Sequence, residues 1–513
     1  MATLTSRILG LARDQVLAAF FGASNDMDAF LVAFRLPNLV RDLFAEGAMS
    51  AAFVPAFTRH LTLGGKDAAW RLGNNVLNTL VFVTGALVAI GMVFAHPLVA
   101  TYAADYALIA GKLELTVRLT RVMLPFLIMV AVAAAVMGML NSLHHYFLPA
   151  LAPAMFNVAT IAGAFTLVPL MAILGWPPIM AIAIAAIVGG LGQIAVQWPA
   201  LRREGFRCRV SIDLRDPGLR QVLLLMGPGT VGLAATQVNI FVSTLLATAQ
   251  GTGAVSWLSY AFRLMYLPIG LFGVSIATAV LPAVSRHAAV DDVDGIRKTV
   301  SRSISMMLTL NVPATLGLIV LATPIVQLLF ERGRFLPSDT TQTAAALRLY
   351  ALGLIGYSTA RILSPTFYAL GRGRVPVVVS VCTIATNIVL SVVFVRALGF
   401  RGLALGTSVS ALANGALLLL LFRQRLGGIG GTRLMVAFAK VTAAAVVMAG
   451  VALSVEHGAA AIFAGGNFAA QAIRLALEMG SGLAALAAAA KVLGIAELDE
   501  AVKLVRSRIS PRS

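Results

Sequence analysis

The chain is poor in the residues from which soluble enzymes and metal sites are built: its 513 residues include two cysteines, six histidines and 21 acidic residues. Cys208 and Cys382 lie far apart without ligand-like neighbours, which excludes a disulfide framework and a cysteine metal motif. Gly64, Gly65 and Lys66 are followed by Asp67, not Ser or Thr, so there is no phosphate-binding loop and no ATP hydrolysis. No H-E-x-x-H and no nucleophile elbow occur, and the pair His144 and His145 reads as a polar helix end. Charged residues make up 12% of the chain, against about 25% in soluble proteins. No sizeable soluble domain is therefore expected. What remains is 59% hydrophobic with a mean hydropathy of +0.90, the composition of an integral membrane protein.

Reading apolar runs between glycine, proline and charge clusters predicts about fourteen membrane helices, the first at 6–22, the second and third at 28–58 and 73–99, and the last at 468–491. An even number of spans puts both termini on one side. The formal charge of +18 then has to be read by location, not as a nucleic-acid signal. Connections on the side of the termini hold eighteen Lys and Arg, from Arg59 to Arg433; the opposite connections hold Lys112, Arg332, Arg334, Arg396 and Arg401. That asymmetry predicts cytoplasmic termini. No cleavable leader is expected, because the chain enters directly into SRILGLARDQ.

A shift of 227 residues overlays VPAFTRH (54–60) on LPAVSRH (281–287), Arg121 on Arg348, Leu143 on Leu370 and Pro149 on Pro376. The predicted architecture is all-α: two six-helix lobes related by an internal repeat, plus two extra C-terminal helices. Its divisions are an N-terminal lobe over 1–202, a linker over 203–217, a C-terminal lobe over 218–426, and a final helix pair with a basic tail over 427–513. In the linker, Phe206, Cys208, Val210, Ile212 and Leu214 alternate with Arg207, Arg209, Ser211, Asp213 and Arg215. That pattern reads as an amphipathic strip on the cytoplasmic leaflet or as a solvated loop with accidental alternation.

Ionisable groups inside a bilayer cost at least about 2.5–3.5 kcal/mol each, so they face a watery chamber or a partner. Most of them here lie in the first two helices: Arg7, Arg13 and Asp14, then Asp28, Arg35, Arg41, Asp42 and Glu46. Asp28, Arg35 and Asp42 recur at seven-residue spacing along one stripe, so Arg35 reads as a structural cation neutralised there. Arg7 and Asp14 share the same spacing and can pair. Arg13, Arg41 and Arg263 lack an acid at helical spacing on their own helices. Arg361 stands alone in RILSPTFYAL, either as a cavity cation or as the cap of a helix broken at Pro365. Excess arginine predicts an anionic substrate, because the guanidinium fork suits phosphate or carboxylate. GPGTVG (227–232) and YLPIGLFG (266–273) mark loosened helix turns, either hinges or ordinary tolerance of Pro and Gly in membrane helices.

Residues 5–57, with TSRILGLARDQVLAAFFG and DAFLVAFRLPNLVRDLFAEGAMSAAFVPAF, resemble the MurJ (MviN) lipid II flippases of the MOP exporter superfamily, as do 253–286 and ARILSPTFYALGRGRVP (360–376). The resemblance implies two six-helix lobes around a cationic cavity, with helices 13 and 14 forming a groove for a polyprenyl tail. The implied substrate is undecaprenyl diphosphate carrying a disaccharide-pentapeptide, moved from the cytoplasmic to the periplasmic leaflet of the inner membrane without catalysis. The family's essential arginines fall on Arg7, Arg13, Arg41 and Arg263, and Asp14, Asp28 and Glu46 match acids that gate or pair with them. No cofactor is implied. A family sodium site has only the neutral Asn239, Thr383 and Asn387 as counterparts, and Phe262 and Tyr266 replace polar residues flanking the helix 8 arginine. Membrane lipids and cell-wall synthesis or division proteins are the implied partners, and nucleic acid is not. The alternatives are an exporter of another lipid-linked saccharide or amphiphile, a membrane enzyme acting on a lipid phosphate, and a division scaffold.

Overall fold

A computed structural model describes residues 2–42, 49–428, 430–462 and 468–495, and all regular structure among them is helical. Glu46 and the tail residues Lys503, Arg506, Arg508 and Arg512 lie outside the described residues. The chain divides into two units, residues 1–256 with 332–336, and residues 257–331 with 337–513.

The first unit holds α1 (Ala2–Phe21), α2 (Asn25–Arg41), α3 (Met49–Val93), α4 (Ala95–Tyr102), α5 (Lys112–Met123), α6 (Phe126–Ser142), α7 (Phe147–Ile173), α8 (Met180–Arg203) and α9 (Pro217–Thr248). Sequence signals set their ends. Ser24 caps α2 by accepting from the Met27 amide, and Asp216 followed by Pro217 opens α9, its carboxylate accepting from the Leu219 amide at 2.7 Å. The expected loop at 59–72 is instead helical: α3 continues through it and bends at Gly65, whose φ of 70° is the left-handed conformation that favours glycine.

The second unit holds the rest of α10 (Ala254–Pro268), then α11 (Val274–Ala289), α12 (Val293–Val320), α13 (Ala322–Phe330), α14 (Pro337–Ala351), α15 (Leu354–Ala369), α16 (Arg374–Leu398), α17 (Phe400–Leu426), α18 (Gly431–Ile462) and α19 (Phe468–Leu493). The 227-residue repeat is visible element by element. The short helices α4 and α13, which the apolar runs did not separate, correspond, and the broken pair α5 and α6 matches α14 and α15. Arg121 Nε donates to the carbonyl of Met92 at 3.3 Å, and Arg348 Nε donates to that of Ile319 at 3.2 Å, both partners displaced by the same offset. In the second half the helix that follows Arg263 is interrupted by a π-turn over Ile269–Gly273.

Ten helical stretches among the described residues are long and apolar enough to cross a bilayer. The expected count of about fourteen is not reached by that measure: α1 and α2 carry several charges, α14 and α15 are only 15 and 16 residues long, and of α9 only Gln237–Thr248 enters it. Small residues let helices approach closely, as membrane packing without a strong hydrophobic drive requires. A Cβ on Gly189 of α8 would lie 2.8 Å from the Phe156 Cα of α7, and one on Gly356 of α15 would collide with the Ala411 backbone of α17. The core of the first unit gathers Phe53, Phe57, Trp70, Phe206 and Leu219; that of the second gathers α11, α12, α15 and α18 around Met307, Phe367 and Phe422.

The linker is extended and fixed to α3 of its own unit. Asn74, Asn75 and Asn78 bond its main chain at Arg207, Arg209, Ser211 and Asp213, with distances of 2.7–3.2 Å. Phe206 is buried against Trp70 and Trp198, whereas Val210 and Leu214 are exposed.

Candidate functional site

Helix α1 places Arg7 on an exposed position and Arg13 half-buried. Arg13, not Arg7, pairs with Asp14: Nε and Nη2 reach Oδ1 at 3.1 and 2.7 Å. The expected Arg7–Asp14 pairing fails because seven residues are about 10 Å of helical rise, whereas the long Arg13 side chain folds back on its neighbour. Arg7 has no ion pair among the described residues. The Arg13 guanidinium also lies 5.3 Å from the Phe156 ring centre, an aromatic face that helps hold a cation away from water.

Helix α2 repeats the arrangement. Arg41 donates through Nε and Nη2 to Asp42 Oδ1 at 3.1 and 2.8 Å, and Gln237 of α9 approaches the other oxygen at 3.4 Å. Each Arg-Asp dipeptide thus puts a guanidinium beside a carboxylate oxygen, which offsets the cost of the cation.

Asp28 departs from the expected stripe. It is fully buried and accepts from Lys112 Nζ at 3.1 Å, the Gly253 amide at 2.7 Å, and the Ser256 hydroxyl and amide at 2.7 and 3.1 Å. The last groups belong to the start of α10, where free amides favour an anion. Arg35 is exposed and is neutralised by neither Asp28 nor Asp42, since Lys112 of α5 takes Asp28 and the adjacent Arg41 takes Asp42. Sequence reading had placed Lys112 in a connecting loop. It is instead buried, 4.0 Å from the Tyr106 ring centre. The one available signal was a lysine opening an amphipathic helix directly after Gly111.

In the second unit, Arg263 lies exposed on α10, six residues before the π-turn over Ile269–Gly273, which falls in the YLPIGLFG segment expected to be loosened. Arg361 does not cap a broken helix, because α15 runs through Pro365. Its Nη2 donates to the Tyr266 hydroxyl, and its guanidinium lies 5.3 Å from that ring's centre. Of the suggested sodium ligands, Asn387 is buried near Ser391 and Ser410 on α16 and α17, Thr383 bonds the Val379 carbonyl, and Asn239 belongs to the other unit.

At the end of α8, Glu204 accepts from His145 at 2.9 Å and from Lys66 at 3.0 Å. The bond from His145, then that from Lys66, holds its carboxyl below the usual glutamate range.

The profile of the family described as "Lipid II flippase MurJ" matches residues 17–473. The probable lipid II flippase MurJ of Vibrio cholerae is 36% identical over 423 residues, covering 81% of this chain and 80% of that protein. The lipid II flippase MurJ of Burkholderia cenocepacia is 36% identical over 427 residues, covering 82% of each. A solved lipid II flippase MurJ in an inward closed conformation superposes with a TM-score of 0.79 at 25% identity, covering 96% of this chain and 98% of that one. A multidrug MATE transporter of the MOP superfamily, at 16% identity and a TM-score of 0.70 over 83% of this chain and 96% of that one, shares the fold. A chain with an internal helical repeat, arginines within its first two helices and this breadth of likeness belongs to the MurJ family of lipid II flippases.

Proposed function

We propose that this protein carries lipid II from the cytoplasmic to the periplasmic leaflet of the inner membrane by alternating access, with Arg7, Arg13, Arg41 and Arg263 neutralising the diphosphate in a cationic chamber. The observation that carries this reading is the pair of Arg-Asp dipeptides in α1 and at the end of α2, each holding a guanidinium beside a carboxylate oxygen. A diphosphate taken bare through hydrocarbon would meet a prohibitive charge cost, and guanidinium forks remove it. The disaccharide-pentapeptide crosses with the diphosphate while the polyprenyl tail stays in lipid along α18 and α19. Asp14, Asp28 and Glu46 exchange or hold partners as the protein changes conformation. Both termini face the cytoplasm, and no bond is made or broken in the cycle, which an ion gradient or the membrane potential drives.

The test is accessibility of newly made lipid II to an outer-leaflet-specific cleaving enzyme in cells depleted of this protein. Wild type restores cleavage; Arg13→Ala, inserted to the same level, does not. Cleavage that persists without the protein, in cells with no second flippase, would move the cargo to another lipid-linked saccharide.

A further inference from the structure

We propose that Arg361, oriented by Tyr266, is a further contact for the anionic part of the cargo in the second unit. The proposal rests on the lipid II reading and extends its set of arginines. Arg361 sits midway along α15, a helix whose Ile362, Leu363, Thr366 and Phe367 are buried in the unit's core. A cation at such a position ordinarily has a carboxylate partner. Among the described residues Arg361 has no ion pair, and its one hydrogen bond goes to a neutral phenol, Tyr266. The ring centre of the same tyrosine lies 5.3 Å from the guanidinium, so the phenol holds the group without cancelling its charge.

The location is as informative as the missing acid. Tyr266 follows Arg263 by three residues on α10, so the two share a helix face. Phe262, one turn before Tyr266, stacks on it with centroids 5.9 Å apart, and both rings are more than a third exposed. The hydroxyl of Tyr266 therefore ties Arg361 of α15 to the face of α10 that presents Arg263. Four of the five guanidinium N–H donors remain for an anion, and a planar fork beside a second arginine suits phosphate oxygens. Tyr266 acts here as a positioning residue. A purely structural clasp between α10 and α15 would use the same bond but would confer no preference for a charged ligand.

The experiment measures binding of undecaprenyl diphosphate and of neutral undecaprenol to the full-length protein in nanodiscs, for wild type, Arg361→Gln, Arg361→Lys, Tyr266→Phe and Arg263→Gln. Loss of charged hydrogen bonds predicts that Arg361→Gln weakens the diphosphate lipid about tenfold and leaves the neutral lipid unchanged. Arg361→Lys keeps the charge and loses less, and Tyr266→Phe falls between, again only for the diphosphate. Equal losses for both lipids, or wild-type binding by Arg361→Gln while Arg263→Gln is weakened, would overturn the role of Arg361 and leave the lipid II reading standing. Wild-type binding by Arg361→Gln and Arg263→Gln alike would count against both. If Arg361→Gln does not fold, Arg361→Lys and Tyr266→Phe decide by the same charged-against-neutral comparison.

Discussion

Two arrangements of buried charge coexist in the first unit. Arg13 and Arg41 each pair with the adjacent aspartate, and the side chains of both pairs keep some exposure, more for Arg41 and Asp42 than for Arg13 and Asp14. Asp28 and Lys112 are shut away, with side chains 0% and 1% exposed. Breaking a buried pair leaves an uncompensated charge, a loss of about 3–5 kcal/mol, whereas replacing both partners is far milder. Lys112→Met should therefore lower the midpoint of thermal unfolding by several degrees in detergent, and Lys112→Met with Asp28→Asn should recover part of that loss. Additive losses in the double variant would show that the two groups are not coupled. The residual cost of the double variant comes from the amides of Gly253 and Ser256, which lose a charged acceptor.

At the scale of elements, the ends of helices are joined by polar clasps. Lys66 in α3, His145 before α7 and Glu204 after α8 meet in one such clasp. Because the Glu204 carboxyl is held below its ordinary value of 4.5, its contribution to stability is complete above that pH and is lost as pH falls through the depressed value. Thermal stability of the wild type should thus drop more steeply than that of Glu204→Gln as pH is lowered from about 5 to 3, measured by unfolding in detergent. Parallel curves would remove the clasp from the account. The internal repeat is also an element-level property: Arg121 and Arg348 bond equivalent carbonyls, and the short helices α4 and α13 fall at equivalent places. A pattern that sparse in identities but regular in geometry is preserved by backbone hydrogen bonding, to which many side chains are indifferent.

For the whole molecule, the lysine and arginine asymmetry predicts cytoplasmic termini. A fluorescent reporter that folds only in the cytoplasm should light up when fused after Ser513, and a periplasm-dependent enzymatic reporter at the same place should stay silent. The reverse result would overturn the cytoplasmic placement of the C-terminus. Family membership rests on breadth, since the matched profile runs from residue 17 to residue 473 and includes both halves of the repeat.

Composition by itself determined the membrane class and the all-helical fold, because a chain with so little charge and such long apolar runs can satisfy its backbone in lipid only as helices or a closed barrel, and its runs are too long for barrel strands. The repeat was readable from a handful of residues at one offset, and the arginines from their rarity in apolar surroundings. The partners of those charges were not readable. Helical spacing assigned Asp14 to Arg7 and Asp28 to Arg35, while the folded chain gives them to Arg13 and Lys112. Nor did anything in RILSPTFYAL point to Tyr266, 95 residues earlier. Apolar pattern is a local property of each segment, so sequence displays it. The pairing of buried charges depends on which helices pack together and at what depth, and only the tertiary structure decided that.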